Sequence, residues 1–148
     1  MGGEQHISII VESYRKHFDD DLIGVQNDPE ITHKVETAPF PILSHTNAPD
    51  PIFNYGNQKA LEIFEYSWEE FIKLPSRLSA EVGLQDERAR VMREVRENGF
   101  TANYKGIRVS KSGRRFEILR AAIWNVEDES GIFIGQAAAL FDWINLGS

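Results

Sequence analysis

A chain of 148 residues has room for one domain and little more, and apolar and aromatic shares of 41% and 11% exclude wholesale disorder. The absence of cysteine removes disulfides, thiolate metal ligands and thiol nucleophiles together. A net charge of −7, from 16 basic and 23 acidic residues, argues against general binding to nucleic acid or to an anionic membrane.

Residues 4–18 place Ile7, Ile10, Val11, Tyr14 and Phe18 on one face of a helix. Residues 19–41 are acidic and hold Pro29, Pro39 and Pro41, so they read as a connector with one short helix around Glu30 to Glu36. From Ile42 the elements shorten. Ile42 to Thr46 is a strand, Asn47 to Pro51 is turn chemistry, and Ile52 to Tyr55 is a second strand. Asn57 caps a helix carrying Ala60, Leu61 and Phe64. Ser67-Trp68-Glu69-Glu70 is a capping box, with Tyr66 and Phe71 at the two positions of a hydrophobic staple. Pro75 ends that helix near Leu74. A longer helix follows over residues 86–98, with Ala89, Met92 and Val95 as its buried stripe and Gly99 as its stop. Three strands close the chain as a meander: Ala102 to Ser110, Arg114 to Val126 and Ile132 to Trp143.

This order limits the architecture. The two early strands join the meander only if the helices between them pack across one face of the sheet. The expected fold is α+β: a five-stranded antiparallel sheet with a helical cap on one face, a cavity between the two, and an N-terminal flanking helix.

The run Ala48 to Asn57, then Ala60-Leu61, Phe64, Tyr66-Ser67 and Glu69-Glu70-Phe71, resembles the first half of a PAS domain. Lys111 to Phe116 and Gly131 to Gly135 resemble its closing strands. More narrowly, Leu74 to Glu81 together with Trp124 and Gly135-Gln136-Ala137 is similar to the MEKHLA subgroup of PAS-like domains. The resemblance implies a flanking helix and connector over residues 1–39 and a PAS-like (MEKHLA) domain over residues 40–148. It also implies a sensory or regulatory module.

Related light-oxygen-voltage sensors carry a photoactive cysteine, which aligns here with Ser76, and a hydroxyl cannot form the thiol photoadduct. Their three ring-reading amides align with Arg108, Ile118 and Ala137, and strand alternation turns Gln136 to the opposite face. Arg77 alone matches a phosphate-binding arginine. No cofactor is therefore expected.

The same alignment sets Tyr104, Gly106, Arg108 and Ser110 on the cap side of the first meander strand. It sets Phe116, Ile118, Arg120, Ala122 and Trp124 there on the second, and Phe133, Gly135, Ala137, Ala139 and Phe141 on the third. A buried guanidinium needs a counter-charge, a ligand or solvent. Either internal acids such as Glu62 satisfy these arginines, or they clamp a small anionic or carbonyl-bearing ligand. The clamp comprises Arg108, helped by Arg77 or Arg120, between the aromatic walls Tyr104 and Trp124. The other face, with Ile107, Val109, Leu119, Ala121, Ile123, Ile132, Ile134 and Leu140, is too apolar for water. The N-terminal helix and a second subunit are expected to cover it, giving a homodimer centred on Ile123 and Ile134.

Four histidines (His6, His17, His33 and His45) show no metal-ligand spacing, and no glycine-rich phosphate loop occurs. His45 lies near Asp50 but reads as structural. No apolar run reaches the roughly 18 residues of a membrane span. The first residues carry no secretory signal, and His6 breaks the myristoylation pattern that Met1-Gly2 begins. The expectation is a cytoplasmic binding module without catalysis, contacting neither nucleic acid nor membrane. Its rivals are a dimerisation module with a filled core, a flavin-binding PAS domain without thiol photochemistry, and a small cone-shaped isomerase or cyclase.

Overall fold

The computed structural model describes residues 3–147, so the Met1-Gly2 motif lies outside the described residues. The elements in chain order are α1 (Glu4–Phe18), α2 (Ile31–Glu36), β1 (Ile42–Thr46), β2 (Phe53–Gly56), α3 (Gln58–Phe64), α4 (Trp68–Phe71), α5 (Gln85–Asn98), β3 (Phe100–Val109), β4 (Arg115–Glu127) and β5 (Phe133–Gly147). Two 3-10 turns, Ser76–Ser79 and Val82–Leu84, lead into α5. The sheet is antiparallel with strand order β2-β1-β5-β4-β3. Both early strands thus add to the β5 edge of the meander, as the α+β reading requires.

Local signals determine most boundaries. Ser67 and Glu70 form the capping box of α4, and Tyr66 packs on Phe71 with ring centroids 6.1 Å apart. Gly99 ends α5 at φ +97°, where a side chain would be strained. Asn57 does more than cap α3. Its Oδ1 accepts from the backbone N–H of Ala60 and of Ile42, both at 3.0 Å. Its amide nitrogen donates to the carbonyls of Val35 at 2.9 Å and Phe40 at 3.1 Å. One fully buried side chain therefore ties α2, β1 and α3 together.

The sheet separates two apolar layers. On one face α3, α4, α5 and the 3-10 turns form the cap, over Leu43, Phe53, Phe116, Ile118, Ala121 and Leu140. On the other, Ile7, Ile10, Val11 and Tyr14 of α1 cluster with Ala122, Trp124, Val126, Ala137 and Ala139. The α1 stripe is the one the sequence predicts.

The strand faces differ from expectation. Register shifts on either side of Arg120, between Ile118 and Ala121, break the alternation of β4. Phe116 and Ile118 face the cap as expected, but Ala122 and Trp124 face α1. Arg120 lies exposed, its guanidinium 4.8 Å from the centroid of the Phe141 ring. In β5, Ala137, Ala139 and Phe141 belong to the α1 layer, and the small alanines make room for that helix rather than for a ligand. Ala121, Ile123 and Leu140, expected outside, are instead buried beneath the cap. A further register shift lies where Val126 meets Gly135. There Gly135 runs so close to β1 that a Cβ would stand 2.1 Å from the His45 carbonyl oxygen.

Candidate functional site

Between cap and sheet lies a cavity of about 50 Å³. Leu43, Phe53, Phe64, Ile118, Ile123 and Leu140 supply its apolar wall, and His45, Arg88, Tyr104, Arg108 and Gln136 its polar one. Two guanidiniums dominate it. Arg88, from the buried side of α5, is 8% exposed, and Arg108, from the cap face of β3, is 7% exposed. Arg88 donates to Ser76 Oγ at 2.7 Å. Arg108 donates to its neighbour's carbonyl, Ile107 O, at 3.1 Å and sits 5.2 Å from the centroid of the Tyr104 ring. Neither meets a carboxylate among the described residues. Burial, then the charge of Arg108, pull the pKa of Arg88 down to about 10, which still leaves it charged at neutral pH. Two buried like charges with no carboxylate at ion-pair distance raise the free energy of the empty site, and the charge of Asp50, acting on Arg88 from farther off, offsets this only in part.

His45 completes the polar wall. Its Nδ1 lies 2.9 Å from the Thr46 carbonyl, which can only accept, so Nδ1 carries the proton. Its Nε2 is then a bare acceptor, buried and without a partner. Burial, and to a smaller degree the charge of Arg88, lower the histidine pKa to about 4 against the pull of the Thr46 hydrogen bond. The imidazole is therefore neutral near pH 7. Gln136 also faces the cap, not the opposite side. Its amide nitrogen donates to Met92 O at 2.9 Å and to Asn125 Oδ1 at 3.2 Å, fastening α5 to the sheet.

His45, Arg88, Met92 and Gln136 also line a surface groove between α5 and the Asn47–Pro51 turn. Arg93 and Arg96 stand along it, while the one acid of that turn, Asp50, is paired with Arg77. In a chain of net charge −7 this is a local basic approach to the cavity.

Of the five residues singled out from sequence, the fold brings together only Tyr104 and Arg108. Arg77 is exposed and paired with Asp50 at 3.1 Å. Arg120 is on the surface beside Phe141. Trp124 is fully buried on the α1 side, its indole N–H donating to Ile10 O at 3.1 Å and its ring edge-on to Tyr14 at 5.0 Å. His45 is not paired with Asp50. Sequence reasoning missed Arg88, His45 and Gln136 as parts of the site. For Arg88 a signal existed, because residues 88, 92 and 95 share one helix face.

The profile of the MEKHLA domain matches residues 4–145. The chain belongs to the MEKHLA domain family. That match begins at α1, which shares the core of the sheet. A comparison with curated proteins found no match. Among solved structures, the chain is similar to a PAS domain from Colwellia psychrerythraea, with a TM-score of 0.64 and 14% identity over 78% of this chain and 93% of that one. It is similar to an RNA-binding light-oxygen-voltage receptor, with a TM-score of 0.65 and 20% identity over 83% of this chain and 36% of that one. A third is the PAS domain of a LuxR-family transcriptional regulator from Burkholderia thailandensis in complex with ethanol, with a TM-score of 0.57 and 14% identity over 78% and 96%. These likenesses show a PAS fold. The family is one of PAS-like sensory domains.

The light-oxygen-voltage likeness raises the question of a flavin, and the residues do not fit one. Ser76, in the cysteine's place, has its hydroxyl occupied by Arg88. Arg108 and Ile118 line the cavity at two of the amide positions. The third position holds Ala137, and the neighbouring Gln136, which does face the cavity, donates to Met92 and Asn125. A cavity of about 50 Å³ is far below the roughly 300 Å³ at which pockets for drug-sized ligands begin. Among the described residues no cluster of His, Asp and Glu is placed to hold a metal ion, and no helix is long and apolar enough to cross a membrane.

Proposed function

We propose that this MEKHLA domain is a non-catalytic sensory module whose cavity binds a small anion between Arg88 and Arg108. The observation that carries the reading is the pair of buried guanidiniums without a carboxylate. An anion there supplies the missing counter-charge through charge-assisted hydrogen bonds. The basic groove beside α5 suits an anionic visitor, and the cavity volume restricts it to a few atoms. The PAS domain from Burkholderia thailandensis is in complex with ethanol, a ligand of such size. Binding would pull α5, which carries Arg88, against β3, which carries Arg108, and so report occupancy at the surface of the cap.

Thermal unfolding in acetate, propionate or phosphate, against neutral ethanol, tests the reading. At least one anion should raise the Tm, and Arg108→Ala should weaken its binding by roughly 10- to 150-fold, the equivalent of about 1.5–3 kcal/mol. The clamp is wrong if no anion shifts the Tm, or if the shift survives in Arg108→Ala.

Self-association is favoured by a separate observation. Ile107 and Ile144 both pair with Glu117, and by alternation Val109, Leu119 and Leu146 share that face. Ile144 and Leu146 are 46% and 41% exposed. In this reading the row replaces Ile123, which is buried, and Ile134, which packs against the α1 cluster, as the centre of a homodimer contact. Light scattering should show a dimer at high micromolar concentration and a monomer for Ile144→Glu; a monomeric wild type removes this reading.

A further inference from the structure

We infer that the anion is a two- or three-carbon 2-hydroxycarboxylate such as glycolate or lactate, its carboxylate between Arg88 and Arg108 and its hydroxyl donating to His45 Nε2. The inference rests on the anion-binding reading above and deepens it. The new element is His45. Its Nε2 is a buried acceptor without a partner, on a side chain that lines the cavity, and a buried acceptor without a donor is destabilising. Three neighbouring donors are committed: Gln136 to Met92 and Asn125, Ser79 Oγ to the Ser76 carbonyl at 2.7 Å, and Ser44 Oγ to Asn54. The other donors of the wall, on Arg88, Arg108 and Tyr104, make no hydrogen bond to Nε2, so the position is open to a donor that a ligand brings.

Three properties narrow that ligand. The guanidiniums ask for an anionic head, and the histidine asks for an O–H or N–H within reach of that head. An ammonium group is disfavoured because it would stand beside two guanidiniums with no carboxylate in the cavity wall. That removes amino acids and leaves a hydroxyl. Size supplies the third limit. A cavity of about 50 Å³ accepts roughly three to five water-sized spheres. Glycolate and lactate match this, whereas a six-carbon acid does not. The apolar wall of Phe53, Phe64 and Leu140 favours a carbon skeleton over an all-oxygen anion such as phosphate.

Titration calorimetry on the full chain with glycolate, L-lactate, acetate, propionate and inorganic phosphate separates the outcomes. The hydroxy acids should bind at least tenfold more tightly than the acids lacking the hydroxyl. His45→Phe should abolish that preference, so that hydroxy and deoxy acids bind it with equal affinity. A measurement free of substitution guards against loss of fold. The ¹⁵N shift of His45 Nε2 should move on adding glycolate and stay in place on adding acetate. Equal affinity for hydroxy and deoxy acids overturns the inference and leaves the anion clamp standing, as does a preference that persists in His45→Phe. Tighter binding of phosphate than of every carboxylate also overturns it and leaves the clamp standing. If none of the five binds, the clamp itself falls.

Discussion

Asn57→Ala is expected to destabilise the domain by about 3–5 kcal/mol, the cost of a lost helix cap plus buried backbone groups left without partners. Asn57 uses every hydrogen-bonding site of its amide. It accepts from Ala60 and Ile42 and donates to Val35 and Phe40, in a position with no solvent exposure. Truncation leaves the N–H groups of Ala60 and Ile42 buried without an acceptor and takes a donor from the carbonyls of Val35 and Phe40. The control is Ser67→Ala. Ser67 caps α4 through Glu70 N at 3.2 Å but is exposed, so water replaces it and the loss should be about 1 kcal/mol. Urea unfolding of the two variants against wild type makes the comparison. Equal losses would mean that the junction of α2, β1 and α3 is held by packing alone. Asn57→Asp should behave almost as badly as alanine, since it keeps the acceptor, loses both donors and introduces a buried charge.

The contrast between those two caps shows why part of the fold was legible in the sequence. Caps, staples, proline stops and glycine turns act over three or four residues, so Ser67-Trp68-Glu69-Glu70, Pro75 and Gly99 announce their elements without any tertiary information. The strand faces depend on something the local pattern does not contain. A single unpaired residue inverts every side chain beyond it, and β4 is irregular on both sides of Arg120. Phe116 and Ile118, before that point, are where the sequence puts them, while Trp124, after it, is on the opposite face. The apolarity of β4 on both faces is what hid the slip: Ala121 and Ile123 are as suitable for a core as Ala122 and Trp124, so the alternation carries no contrast to read.

The site was half legible for the same kind of reason. Arg108 stood out because an arginine on an inner strand face conflicts with its surroundings. Arg88 is the same chemistry on a helix, where an arginine reads as solvated surface unless its register with Met92 and Val95 is taken seriously. His45 reads as an ordinary histidine at a strand end. Its role depends on which nitrogen the Thr46 carbonyl engages, a property of the folded backbone alone.

His45 also makes the stability of the domain depend on pH in a defined window. In the unfolded chain its pKa is near 6.5, while in the folded domain burial and the neighbouring charge of Arg88 hold it at about 4. Arg108, the other cation of the cavity, also repels an imidazolium. The folded pKa is depressed, so the unfolded chain binds the extra proton between these two values. Stability is thus full above about pH 6.5, falls as the pH drops, and levels off below about 4, for a loss of roughly 3 kcal/mol in all. His6, whose pKa burial also lowers, adds to the fall in the same direction. The carboxylates shifted downward leave the upper part of the window almost untouched. Glu65, held at about 2 by hydrogen bonds from Ser110 and Ser112, and Glu70, held at about 2 by Lys111, cost stability as the pH falls through the ordinary carboxylate range toward 2, where the unfolded chain takes up their protons first. Urea titrations at about pH 7 and pH 5 should therefore differ by roughly 2 kcal/mol in wild type. His45→Gln, which keeps a buried acceptor but cannot be protonated in this range, should remove most of that difference. If His45→Gln retains the full wild-type slope, the titrating group lies elsewhere, and the buried neutral imidazole facing the two arginines is the wrong description of the site.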